Sequence, residues 1–302
     1  MELGKNIKYI FVYIAAILSQ TKFIVFKMKQ SLSSFVKHCI NKSLQNNTLD
    51  NNPALISSIH PDVNIKYNSV NVIVGKQSSG KTVIALEEII KISLLHTHHL
   101  LLYITKEGNE CDKTWLSLKS LIKMPYEVIA EKNIVERVDE LIKAKSLYYK
   151  IRDEHLENSI IEEQKTQLLN NLHVEDFQHE TLHTLILFDD ISNNKLFNDE
   201  TSYFSQLIRR CRHTNISYFL LIQGWKGLKP HIKNEITTLF IFPCFNKQQL
   251  HFIYSQSASN LSFDEFYDLY REMVRYKNNF PDSHPYLIIE VSDGGETKIN
   301  LN

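Results

Sequence analysis

Gly75-Lys76-Gln77-Ser78-Ser79-Gly80-Lys81-Thr82 is the stretch that decides the fold. It fits G-x-x-x-x-G-K-[ST], a pattern whose glycines let the main chain curl its N–H groups around a phosphate with no side chain in the way. Only eight glycines occur in 302 residues, so a chance match is rare. The flanks agree with the loop. Val70–Val74 is a short apolar, β-branched run that predicts a strand, and residues 83–95 are apolar-rich with helical spacing. Strand, loop and helix in that order place a phosphate at a helix N-terminus. All eight residues from Gly75 to Thr82 are therefore expected to hold ATP. Lys81 would reach the β- and γ-phosphates, and the Thr82 hydroxyl would lie on Mg2+.

About a hundred residues further on, Leu185-Ile186-Leu187-Phe188-Asp189-Asp190 is an apolar strand that delivers two carboxylates at its end. Alone, such a run is weak evidence, because strand ends often carry solvated aspartates. After a phosphate loop it predicts division of labour, with Asp189 on Mg2+ and Asp190 orienting or deprotonating the attacking water. Gln223 closes the apolar run Ile216–Ile222, where a polar residue at the carboxyl edge of a sheet would face the γ-phosphate. Arg209, Arg210, Arg212 and His213 precede that strand. They read either as a solvated helix face or as the source of an arginine that completes a neighbouring subunit's site.

Further strands are expected at Leu100–Thr105, 182–188, 238–242 and 286–291. The last of these faces 297–301 across Asp293-Gly294-Gly295, a terminal β-hairpin. Residues 135–172 are long, charged and free of Gly and Pro, which predicts helix and an insertion lying outside the sheet. Ser262 is placed to cap a helix that starts at Phe263. The pattern as a whole predicts a three-layer α/β P-loop NTPase sandwich with a mainly parallel sheet. Its domain would run from 69 to 302, after an N-terminal apolar segment and polar linker over 1–68.

Lys plus Arg and Asp plus Glu both total 34, so nucleic-acid contact must come from local patches rather than from a basic whole. Cys39, Cys111, Cys211 and Cys244 lie far apart, without metal-ligand spacing, and read as small core residues in a reduced compartment. His96, His98 and His99 have no acidic or cysteine partner nearby and read as a surface or helix-end cluster. Residues 9–18 are almost wholly apolar and 23–26 form a second short run. Ten residues are too few to span a bilayer as a helix, and joining the runs buries Gln20 and Lys22. Three readings stay open: a leader before a true start at Met28, membrane association through residues 9–26, and a cleaved signal.

The phosphate loop, Phe188-Asp189-Asp190 and Arg212-His213-Thr214-Asn215-Ile216-Ser217 entering a strand that ends in Gln223 together resemble the genome-packaging ATPases of poxviruses and other large DNA viruses. The resemblance runs from about Val70 to the C-terminus and places the chain with the FtsK–HerA class of DNA-pumping motors. It implies a homo-oligomeric ring that drives double-stranded DNA into a preformed capsid, with a capsid or membrane partner at the portal. It also implies action in the virion or the viral factory of the host cytoplasm, and an arginine, Arg212 by position, that enters the adjacent site. One departure stands out in Pro230-His231-Ile232-Lys233-Asn234-Glu235, where Lys233 occupies a position that the family commonly gives to arginine. Lysine cannot make the bidentate fork to phosphate. A helicase-like or recombination DNA-dependent ATPase, and a nucleotide-gated assembly factor, are the other readings of the same motifs.

Overall fold

The computed structural model describes residues 63–105, 113–190, 195–257, 261–291 and 296–301. The N-terminal apolar runs and the Met28 start lie outside the described residues. Strand β1 (Val70–Val74) is wholly buried, as its apolar, β-branched sequence requires, and passes through the phosphate loop into helix α1 (Lys81–Leu94). Two units divide the chain, Met1–Asn51 with Cys111–Ile122, and Asn52–Glu110 with Lys123–Asn302. In the first, the described residues form a short helix, α2 (Lys113–Leu118), and a 3-10 turn. The second unit carries the sheet.

Its sheet continues with β2 (Leu100–Thr105), β3 (Tyr126–Ala130), β4 (Thr184–Phe188), β5 (Ile216–Ile222), β6 (Thr238–Ile241), β7 (Tyr286–Glu290) and β8 (Glu296–Asn300). The order across the sheet is β3-β2-β4-β5-β1-β6-β7-β8. The first six positions run parallel, and β7 and β8 form the antiparallel hairpin at one edge. Strand side chains alternate between faces. Val70, Val72 and Val74 join one core with residues of the helices α3 (Ile134–Asp153), α4 (Glu162–Leu172) and α5 (Tyr203–Arg209). Asn71 and Ile73 point the other way and are equally buried, on the face that α1 approaches. Layering on both faces explains why the strands read as continuous apolar runs.

Four expectations change. The stretch 135–172 is helical, but α3 buries Val138, Leu141, Ala144, Tyr148 and Ile151 in the core. It carries the chain from β3 to β4 and packs on a face of the sheet, as one of the domain's layers. Charged residues on the exposed face outnumber that apolar stripe, which hid it in the composition. Strand β3 was not foreseen, because it is an edge strand with Tyr126 and Val128 exposed and little alternation. The domain also begins before residue 69. Val63 and Ile65 are buried, and the Asn64 main-chain N and Nδ2 donate to the Glu88 carboxylate of α1 at 2.8 and 2.9 Å.

His98 forms the fourth change, whereas His96 is exposed just past the end of α1. His98 is 3% exposed and is not a surface group. It stacks on Tyr67, which also packs against His183 with ring centroids 4.4 Å apart. Nearby, buried Lys145 of α3 donates to the carbonyls of Thr214 and Asn215, both at 3.2 Å. Burial pushes the Lys145 ammonium and the His98 and His99 imidazoles well below their ordinary ranges. Burial, helped by Lys145, takes His183 from 6.5 down to about 4. Between those two values the unfolded chain binds a proton that the folded chain refuses, so stability is present above 6.5 and is lost as pH falls toward 4. The melting temperature should therefore drop on acidification through this window. His183 accounts for at most about 3 kcal/mol, and His183→Phe, which keeps the stack on Tyr67, should flatten the slope. A melting temperature constant across the window would contradict this.

Candidate active site

The site lies at the carboxyl edge of the parallel strands, where β1, β4 and β5 end. Gly75 continues the ladder by donating its N–H to the Ile222 carbonyl at 3.1 Å. A methyl group placed on Gly75 would lie 2.6 Å from Ser79 Oγ and 3.0 Å from Phe242 Cβ, so a side chain there would force both neighbours to shift. Ser78 and Gly80 take left-handed conformations, with φ of 60° and 99°. The second is much more readily adopted by glycine than by other residues. This cradle, which any Cβ would fill, is the shape that a phosphate group needs from main-chain N–H donors.

Lys81 is 9% exposed, and its ammonium donates to the carbonyls of Gly75 and Lys76 at 2.9 and 2.8 Å. Burial lowers its pKa, while the carboxylates of Asp189 and Asp190 oppose that shift. The loop lysine and both acids therefore share one local field. Thr82, in the first turn of α1, supplies a hydroxyl oxygen and Asp189 a carboxylate. Hard oxygens of this kind suit Mg2+, which takes one or two protein ligands and completes its shell with substrate phosphates and water. Among the described residues no cluster of three or more His, Cys, Asp or Glu is arranged to hold a metal.

The two aspartates are held differently. Asp189 continues the β4 ladder through its N–H to the Ile104 carbonyl at 3.3 Å, and its Oδ2 accepts from the Tyr103 hydroxyl at 3.2 Å. Asp190 leaves the strand in a left-handed conformation, φ 57°, an uncommon state that tertiary contacts must hold. Its Oδ2 accepts from Gln223 Nε2 at 3.0 Å. Because β4 and β5 are adjacent and parallel, with Phe188 opposite Leu220, their ends bring these two side chains together.

Arg212 is elsewhere. It lies exposed on α6 (Cys211–Thr214), which precedes β5, and so stands at the sheet edge opposite the loop. Arg209 faces Glu200 at 3.2 Å and Glu235 at 3.9 Å. Lys233, on α7 (Pro230–Lys233), sits over the rings of Trp225 and Phe252 at 5.0 and 5.3 Å and donates to Gln256. Its charge is engaged within its own chain.

Sequence reasoning missed three neighbours of the loop. Tyr103 lies inside an apolar strand, and nothing local marks its hydroxyl as bonded to Asp189. Cys244 accepts from the Lys76 N–H through Sγ at 3.4 Å, although it reads as a core cysteine. His284 packs against Gly80, from a segment with no motif at all.

Residues 58–262 match the sequence model of the family described as Poxvirus A32 protein. The chain belongs to this family. That match takes in the loop, both aspartates, Arg212 and Gln223, and ends before α9 (Phe263–Asn279) and the hairpin. Among curated protein sequences nothing matches significantly. Similar solved structures include the DNA-packaging ATPase B204 of Sulfolobus turreted icosahedral virus, at 16% identity and a TM-score of 0.46, over 77% of this chain and 97% of that one. The genome packaging NTPase B204 of Sulfolobus turreted icosahedral virus 2, in complex with AMPPCP, is 15% identical with a TM-score of 0.46, over 77% and 96%. EssC (ATPases 2 and 3) of Geobacillus thermodenitrificans is 12% identical with a TM-score of 0.45, over 78% and 40%. In this family member, just before α8 (Lys247–Tyr254), the Tyr270 hydroxyl of α9 bonds both the N–H and the carbonyl of Phe245, next to the Cys244 that accepts from the loop.

Proposed function

We propose that this A32-family chain is a Mg2+-dependent ATPase that works as a homo-oligomeric ring and drives double-stranded viral DNA into a preformed capsid during virion assembly. The observation that carries the reading is the hydrogen bond between Gln223 and Asp190, set at the sheet edge within the field of Lys81. A protein that only stored nucleotide would need the loop and the metal ligand. A second carboxylate, held beside the first by a neighbouring strand's glutamine, is what hydrolysis adds.

The roles follow from chemistry. Main-chain N–H groups of residues 75–82 surround the phosphates, and Lys81 offsets their negative charge. Thr82 and Asp189 would hold Mg2+, which would supply positive charge to the phosphoryl oxygens. Gln223 holds Asp190 through Oδ2, and the carboxylate would orient a water in line with the γ-phosphate. Arg212 serves a neighbouring subunit, because the seven residues of β5 separate it from its own loop. At about 3.3 Å per residue that gap is beyond the reach of an arginine side chain. Such a motor would meet a capsid or membrane partner at the portal and act in the viral factory or the virion.

The test is an ATPase measurement with the full chain, with and without linear double-stranded DNA. Turnover is expected to require Mg2+ and to rise severalfold with DNA. Preference for single strands would favour a helicase-like enzyme, and nucleotide binding without turnover would favour an assembly factor.

A further inference from the structure

His284 stands two residues before β7. Because β7 is antiparallel to β6, with Ile241 opposite Leu287, that strand starts at the edge where the parallel strands end. In the order β4-β5-β1-β6-β7, Asp189, Asp190 and Gln223 flank the loop on one side and His284 on the other. A triphosphate whose terminal group points at the aspartates must send its nucleoside end toward β6 and β7, the side of His284.

The ring touches the loop at its most adaptable residue. A methyl group on Gly80 would lie 2.5 Å from His284 Nδ1 and 2.6 Å from its Cγ, so the imidazole rests directly on the glycine. The segment that presents the ring is itself tied down. Lys277 of α9 donates to the carbonyls of Pro281 and Ser283, the Ser283 N–H donates to the Phe280 carbonyl, and prolines 281 and 285 restrict the chain on either side. Burial and then the Lys277 charge hold the imidazole below its ordinary pKa, opposed by the Ser79 main chain and by Asp282.

We propose that His284 is a positioning residue of the nucleotide site, whose ring braces Gly80 from the nucleoside side and thereby sets nucleotide affinity rather than turnover. Glycine has more backbone states to choose from than any other residue. Without a brace, the left-handed turn at Gly80 is one conformer among several, and only the competent fraction binds, so the apparent dissociation constant rises as that fraction falls. Once nucleotide is bound the loop is set, and hydrolysis proceeds at the Asp190 side unchanged. This inference rests on the reading of residues 75–82 as a nucleotide site, and His284 lies outside the segment that matches the family.

The experiment measures ADP affinity by calorimetry, and KM and kcat for ATP, in the full chain and in His284→Ala and His284→Phe. The alanine variant should bind ADP about tenfold more weakly and raise KM in step, with kcat within about twofold of the parent. The phenylalanine variant keeps a flat ring against Gly80 and should stay close to the parent. Parent-like ADP affinity in His284→Ala overturns the proposal, as does a loss confined to kcat. Should the alanine variant fail to fold, His284→Phe and His284→Gln decide it: Phe binding as weakly as Gln removes the brace. A parent chain that binds neither ADP nor ATP would instead refute the nucleotide-site reading beneath it.

Discussion

Lys81→Ala should abolish ATP hydrolysis, by about a thousandfold or more, and leave the fold intact. The ammonium sits under the loop on two main-chain carbonyls and is no part of the apolar core. What it supplies is a positive charge within the field of Asp189 and Asp190, at the point where phosphate charge must be offset. Circular dichroism and the nucleotide-free melting temperature should match the parent, while release of inorganic phosphate disappears. Because Arg212 lies at the opposite sheet edge, mixing Lys81→Ala subunits with equally silent Arg212→Ala subunits should restore part of the activity. Mixed rings contain interfaces that pair an intact loop with an intact arginine. If Arg212→Ala alone hydrolyses at the parent rate while the ring forms, the finger assignment fails and Arg209 or Arg210 takes its place.

Asp190→Asn should differ in kind. The amide keeps the shape of the side chain and can still accept from Gln223 Nε2, so the end of β4 should hold its conformation. It cannot take a proton from water or polarise it as a carboxylate does. Turnover should fall by about 10²–10⁴ while Mg2+·ATP remains bound. Equilibrium binding of ATP alongside single-turnover hydrolysis separates the two effects. Loss of binding in Asp190→Asn would mean that the acids had been assigned the wrong way round, with Asp190 on the metal and Asp189 on the water.

The loop, the strands on either side of it and the Asp189-Asp190 pair were legible because each is a local pattern with one physical cause. A buried parallel strand must be apolar on both faces, a phosphate cradle must have its glycines in register, and a strand end must carry the acids. The helix cap at Ser262 was legible for the same reason, since its hydroxyl accepts from the N–H of Glu265 three residues on. Strand β3 and the buried stripe of α3 were not. An edge strand needs little alternation, and a helix with one buried face and three wet ones has the composition of an exposed helix.

Sequence by itself determined the fold class and put the glycine loop and the Asp189-Asp190 pair at strand ends, because those depend on residues within a few positions of one another. Tertiary structure alone decided that Gln223 bonds Asp190, that Tyr103 bonds Asp189, that His98 belongs to the interior and that His284 bears on Gly80. Each of those pairings joins residues far apart in the chain, brought together by strand order and register. Neither order nor register is written in any single segment, since both follow from how all the apolar faces are buried at once.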